Sequence, residues 1–133
     1  MLDNQGRIVL GGRRSFLRYL SNGQIDNSFG INGQLIRPDN VFDNGLTLFP
    51  GTTELLIDGA DRILALAGTG ANFFLRVDDN GNFDTTLSDD GIQRPELFGG
   101  VTQFADFGID NNGRLITVGN DSDNVFVTRY VTT

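Results

Sequence analysis

Asp3-Asn4-Gln5-Gly6-Arg7-Ile8-Val9-Leu10-Gly11-Gly12 is a phrase the chain repeats. It returns as Asp58-Gly59-Ala60-Asp61-Arg62-Ile63-Leu64-Ala65-Leu66-Ala67-Gly68, and again as Asp110-Asn111-Asn112-Gly113-Arg114-Leu115-Ile116-Thr117-Val118-Gly119. The arginines Arg7, Arg62 and Arg114 stand 55 and 52 residues apart. A period near fifty residues signals stacked or radially arranged units, none of which can bury its apolar face alone.

A second block follows each arginine phrase. Phe16-Leu17-Arg18-Tyr19 leads through Asn22-Gly23 to Ile25-Asp26, and Phe74-Leu75-Arg76-Val77 leads through Asn80-Gly81 to Phe83-Asp84. Arg18 and Arg76, Asn22 and Asn80, and Asp26 and Asp84 all share an offset of 58 residues. The third copy supplies Val127-Thr128-Arg129-Tyr130, close to Thr133. The 133 residues therefore read as one repeat domain, with unit one over 2–56, unit two over 57–108 and a partial unit three over 109–133.

Between these blocks the grammar is strand and turn. Short runs of β-branched, Leu and Phe residues are bounded by Gly, Asn and Asp. They predict strands near Arg7–Leu10, Ser15–Leu20, Gly33–Arg37, Glu54–Ile57, Arg62–Ala67, Asn72–Val77, Ile92–Arg94, Phe104–Ile109, Arg114–Val118 and Val125–Tyr130, with a further one near Thr47–Phe49. No stretch sustains a 3.6-residue apolar period with caps, so helix should be minimal. Asp-x-x-Gly at Asp3, Asp78 and Asp110 suits a type I turn ending on a glycine with positive φ. Asn22-Gly23, Asn32-Gly33 and Asn44-Gly45 are hairpin signals. Each hairpin pairs a small-residue strand with an aromatic one, and the small residues Gly11 and Gly12 should let neighbouring sheets approach.

With these blocks in place, the chain resembles the delta-sixty repeat family, a bacterial tandem repeat. Asp3, Gly6, Arg7, Ile8 and Gly12 carry the first half of that pattern. Phe16, Arg18, Tyr19, Asn22, Gly23, Ile25, Asp26, Ser28, Phe29, Gly30 and Gly33 carry the second. Unit two departs from it where Leu87-Ser88 replaces Phe29-Gly30. The resemblance implies propeller-like blades in large, exported or surface-associated proteins, so an extracellular or cell-surface location, and it implies no defined enzyme activity. The expected fold is all-β: antiparallel four-stranded blade-like repeats, propeller-type, about two and a half units.

Composition narrows the chemistry. The net charge of −7 argues against a nucleic-acid face or an anionic membrane surface. Hydrophobic residues make up 38%, enough for a packed core, and no apolar run approaches a bilayer span. After Met1 the chain is already polar repeat sequence, as a mature segment would also be. Cys, His, Trp and Lys are all absent, since all ten basic residues are Arg. Thiol nucleophiles, imidazole bases and Schiff-base amines are thereby excluded within this chain. Carboxylates, hydroxyls and guanidinium groups remain.

Candidate sites follow from that inventory. Arg18 with Asp26, and Arg76 with Asp84, stand eight residues apart on either side of a turn. They are expected to be structural ion pairs that fix hairpin register, because a ligand site would not recur in every unit. Arg129 has no Asp at the same spacing, so it should be exposed or paired with an acid from elsewhere. Asp78-Asp79-Asn80-Gly81, Asp89-Asp90 and Asp121-Ser122-Asp123-Asn124 offer hard oxygen ligands for Ca²⁺, or ordinary turns. The only glutamates, Glu54 and Glu96, could serve a carboxylate hydrolase, although nothing in their spacing favours it. Phe42, Phe49, Phe98, Phe104 and Phe107 could form a platform for a glycan or protein, or fill the core. Arg129, Tyr130, Phe42, Phe49 and Phe98 are the candidate interface. The expected function is a non-enzymatic structural or interaction module with no required cofactor, acting as a homo-oligomer or within a larger repeat array. A lectin-like or other ligand-binding propeller module is the alternative.

Overall fold

The computed structural model describes residues 1–12, 15–36, 52–67, 73–93, 103–120 and 123–130. The ten strands are β1 (Ile8–Gly11), β2 (Ser15–Tyr19), β3 (Gln34–Ile36), β4 (Thr52–Ile57), β5 (Ile63–Ala67), β6 (Phe73–Val77), β7 (Ile92–Gln93), β8 (Gln103–Ile109), β9 (Leu115–Asn120) and β10 (Val125–Tyr130). Each lies on a run predicted from the sequence. The expected strand at Thr47–Phe49 falls outside the described residues. There is no helix among the described residues.

All pairing between strands is antiparallel, in three sheets. Sheet I has the order β1-β2-β3, sheet II the order β4-β5-β6-β7, and sheet III the order β10-β9-β8. Sheet II alone shows four strands among the described residues. The sheets cut the repeat at a different phase from the sequence units. β4 lies at the end of unit one but pairs with β5, and β8 at the end of unit two pairs with β9. In sheet I a lone bridge between Leu2 and Ile8 stands where the other sheets pair Ile57 with Ile63 and Ile109 with Leu115.

The Asn32-Gly33 turn does what its chemistry predicts, while Asn44-Gly45 lies outside the described residues. Asn32 and Gly33 both take positive φ, 54° and 80°, and the Gln34 N–H donates to the Ile31 carbonyl at 3.2 Å. Two successive positive φ values match the right-handed strand twist.

Two apolar layers hold the sheets face to face. Val9, Phe16 and Phe29 of the first repeat pack against Ile63, Ala65, Phe73, Leu75, Val77 and Ile92 of sheet II. The opposite face of sheet II presents Leu64, Leu66 and Phe74 to Phe104, Phe107, Leu115 and Phe126. Sheet II is therefore apolar on both faces. All five residues of β6 are buried, so its sequence reads as a continuous apolar run broken only by Arg76. Phe74 meets Phe104 and Phe107 at centroid distances of 4.6 and 5.6 Å, both tilted, and Phe104 meets Phe126 edge-on at 5.8 Å. Such tilted pairs add to the area term.

Candidate functional site

The joint between sheets I and II gathers most of the chemistry-bearing side chains. Its foundation is a turn repeated three times. Asp3, Asp58 and Asp110 each accept the backbone N–H groups two and four residues on through Oδ1. Their Oδ2 atoms accept Nε of Arg7, Arg62 and Arg114 at 2.5, 2.6 and 2.7 Å. Each aspartate thus closes its own turn and orients an arginine beside it.

The second recurring element is the ion pair expected from the sequence. Arg18 Nε donates to Asp26 Oδ2 at 2.7 Å, and Arg76 Nε to Asp84 Oδ2 at 2.7 Å. The pairs span short hairpins closed by the bridges Tyr19–Ile25 and Val77–Phe83, with the Asp26 and Asp84 N–H groups bonded to the Arg18 and Arg76 carbonyls. Arg18 is 2% exposed and Arg76 is 1% exposed. Ser28 and Thr86 donate both N–H and hydroxyl to the free carboxylate oxygens. Burial pushes the Asp26 carboxyl up, but the bonds from Ser28 and Arg18 outweigh it and hold the group below its ordinary value. Asp84 is lowered in the same balance, by Thr86 and Arg76 against burial. Arg76 is pulled below the usual guanidinium value by burial and then by the neighbouring charge of Arg62.

What joins the sheets is Asp79. Arg18 Nη1 donates to its Oδ1 at 2.6 Å and to its carbonyl at 2.8 Å, and Arg7 Nη2 reaches the same Oδ1 at 2.5 Å. Burial lowers the Arg7 pKa, yet Asp79 and Asp3 raise it above its ordinary value. Phe29 lies under the Arg18 guanidinium at 4.6 Å, a cation–π contact. In unit two Leu87 stands at the position equivalent to Phe29. Beside this cluster the Gly30 N–H donates to the Asn80 carbonyl at 2.7 Å, and a Cβ on Gly81 would collide with the Gly30 backbone. The close approach of the sheets therefore occurs at Gly30 and Gly81, in the turns. At Gly12 a Cβ would meet only Ser15, in ordinary contact.

Asn4 and Asp61 complete the joint. Asn4 donates its N–H to Asp61 Oδ1 and its side-chain amide to the Asp58 carbonyl, both at 2.8 Å, and Gln5 Nε2 donates to Asp61 Oδ2 at 2.9 Å. Asp61 holds φ 57°, at the turn position that Gly6, Gly81 and Gly113 fill elsewhere. A non-glycine there is strained. Its carboxylate, set between sheets, supplies the compensation.

Asp79 and Asp61 were not singled out by sequence reasoning. A signal for Asp61 existed, since it breaks a glycine position of the repeat. Asp79 stands in a cluster read as a turn or a cation site. Among the described residues no three acidic side chains come together as metal ligands. Asp78 Oδ1 instead accepts the N–H groups of Asn80 and Asn82, and Asp90 accepts that of Ile92.

The remaining candidates separate. Arg129, the counterpart of Arg18 and Arg76, is exposed. Tyr130 points the other way, into the second apolar layer, with its ring 6.1 Å from Phe74. Phe104 and Phe107 are buried there too. Phe42, Phe49, Phe98 and Glu96 lie outside the described residues. Glu54 meets Asp106, each beside a bulge in β4 and β8. Burial and then this neighbour raise the Glu54 pKa.

No protein family, no curated protein and no solved structure matches the chain.

Proposed function

We propose that this chain is a non-enzymatic structural and interaction repeat module of a propeller-like, exported bacterial protein related to the delta-sixty repeats, and that it self-associates. One observation carries the reading: the charged side chains that recur with the repeat are engaged in holding it together. Arg7, Arg18, Arg62 and Arg76 each pair with an aspartate inside a hairpin or across the joint between sheets. Work is thus left to faces and edges. Face-to-face sheets with antiparallel strands, each sheet built from corresponding stretches of the repeat, are what a propeller reading requires. An extracellular or cell-surface setting follows from the family resemblance. Sedimentation velocity over a concentration series tests self-association: a concentration-dependent shift to a larger species is expected, and a monomer throughout overturns it.

The second reading, a lectin-like or other ligand-binding module, is supported by a cleft of about 260 Å³ on sheet III. Asp106, Phe107, Ile116 and Val118 are among its lining residues. Screening against immobilised glycans tests this reading, and binding lost on Asp106→Ala would favour it.

A further inference from the structure

The joint between sheets I and II is a template with two sides, and each side has a counterpart turned outward elsewhere on the molecule. On sheet I the side facing sheet II comprises Val9, Phe16 and Arg18. By strand register these correspond to Ile116, Val127 and Arg129 on sheet III. Phe126 and Leu115 of sheet III face sheet II, so the alternation of a strand turns Ile116, Val127 and Arg129 outward. Val127 is 68% exposed and Val125, on the same face, 80%.

The other side of the template is the face of sheet II made by Ile63, Ala65 and Leu75. Its counterparts in the first repeat are Ile8, Leu10 and Leu17, which look away from sheet II because Val9 and Phe16 look toward it. Leu10 is 46% exposed, and Leu2, paired with Ile8 on that face, is 65% exposed. Among the described residues, sheets I and III thus carry two different outward apolar faces, related to each other as the two sides of the sheet I–sheet II joint.

Two polar contacts of the template, both to backbone carbonyls, have counterparts as well, whereas Ser21 and Gly6 stand where the template has the carboxylates of Asp79 and Asp61. Asn111 corresponds to Asn4, whose amide donates to the Asp58 carbonyl, and Asp3 corresponds to Asp58. Arg18 donates to the Asp79 carbonyl, and the residues in those places are Arg129 and Ser21. We infer that the outer face of sheet III docks on the outer face of sheet I of a second copy, reproducing the sheet I–sheet II joint. In that joint Arg129 donates to the Ser21 carbonyl of the second copy and Asn111 to its Asp3 carbonyl. The joint is head-to-tail, so it either closes a ring or runs on as a filament. Counting the three sheets of the described residues, two copies bring six, within the four to eight of closed propellers, whereas three would bring nine. The assembly is a two-copy ring with two identical joints.

This inference rests on the reading of the chain as self-associating, and the test separates the two. Val127→Asp and Leu10→Asp place a charge on opposite sides of the joint at exposed positions. Circular dichroism checks their folding, and Val125→Asp and Leu2→Asp stand in if either fails to fold. The wild type should sediment as a dimer and each variant alone as a monomer. An equimolar mixture of the two, carrying different fluorophores, should pair, because the Leu10→Asp copy keeps an intact sheet III face and the Val127→Asp copy an intact sheet I face. A monomeric wild type overturns self-association and the joint together. A dimer that survives both substitutions overturns the joint alone. Loss in one variant only, or no pairing in the mixture, overturns the head-to-tail arrangement.

Discussion

Arg18 Nη1 lies 2.6 Å from Asp79 Oδ1, across the boundary between two sheets and 61 residues along the chain. The same guanidinium donates through Nε to Asp26 in its own hairpin. One buried cation therefore fixes a local turn and a sheet-on-sheet joint at once. Arginine suits this because its planar fork offers five donors in fixed directions.

Asp26→Ala should be strongly destabilising, by ~3 kcal/mol, because it removes the hairpin anion from a buried guanidinium. Asp79→Ala should cost less, ~1–2 kcal/mol, since Arg18 keeps Asp26 and the Asp79 carbonyl. Urea denaturation of both variants checks the order. Equal effects would mean that the two aspartates do not divide the work in this way.

Asp61→Gly should stay within about 1 kcal/mol of wild type, since relief of the positive-φ strain offsets the lost bonds to Asn4 and Gln5. Asp61→Ala keeps the strain and loses the bonds, so it should be the worse variant by roughly 1 kcal/mol. Thermal melts of the two side by side decide this. An alanine variant as stable as the glycine variant would show that strain at φ 57° is not what opposes the carboxylate.

Acid stability should have two limbs. Asp26, Asp61 and Asp84 are depressed below 3.8, so their contribution is present above that pH and is lost as pH falls toward their folded values. Asp110 is held at about 2 by bonds from Arg114 and Asn112. Glu54 is raised above 4.5, so its contribution is present below 4.5 and is lost as pH rises through its folded value. Stability should therefore be greatest between pH ~4 and ~5 and fall on both sides. Glu54→Gln should flatten the neutral limb and melt higher than wild type at pH 7. A variant melting at or below wild type at that pH would remove the Glu54–Asp106 repulsion from the account.

Tyr130→Phe should leave the melting temperature unchanged or raise it slightly. The Tyr130 hydroxyl is buried with no hydrogen-bond partner among the described residues, so its loss removes a desolvation cost of ~1 kcal/mol or more and no bond. A clear drop in melting temperature would indicate a partner for the hydroxyl.

The strands were legible in the sequence because their signals are local. A run such as Val125–Tyr130, bounded by turn residues, needs no distant information to be read as extended backbone. The Asn32-Gly33 turn and the Arg18–Asp26 and Arg76–Asp84 pairs were legible for the same reason, since a spacing of eight around a turn nearly fixes their geometry. Repetition made each inference twice testable within one chain.

Tertiary structure decided what lies between the units. The sequence by itself set the unit, its all-β character and its internal ion pairs. It could not show that β4 pairs forward with β5, because a tandem repeat has no marked phase. Nor could it assign Asp79, a turn residue by composition, to Arg7 and Arg18, which come from another sheet and depend on how the sheets register. Tyr130 and Arg129, neighbours in sequence and both candidate interface residues, face opposite ways for a similar reason. Strand alternation separates them, and only the packed position of Phe126 determines which of the two faces outward.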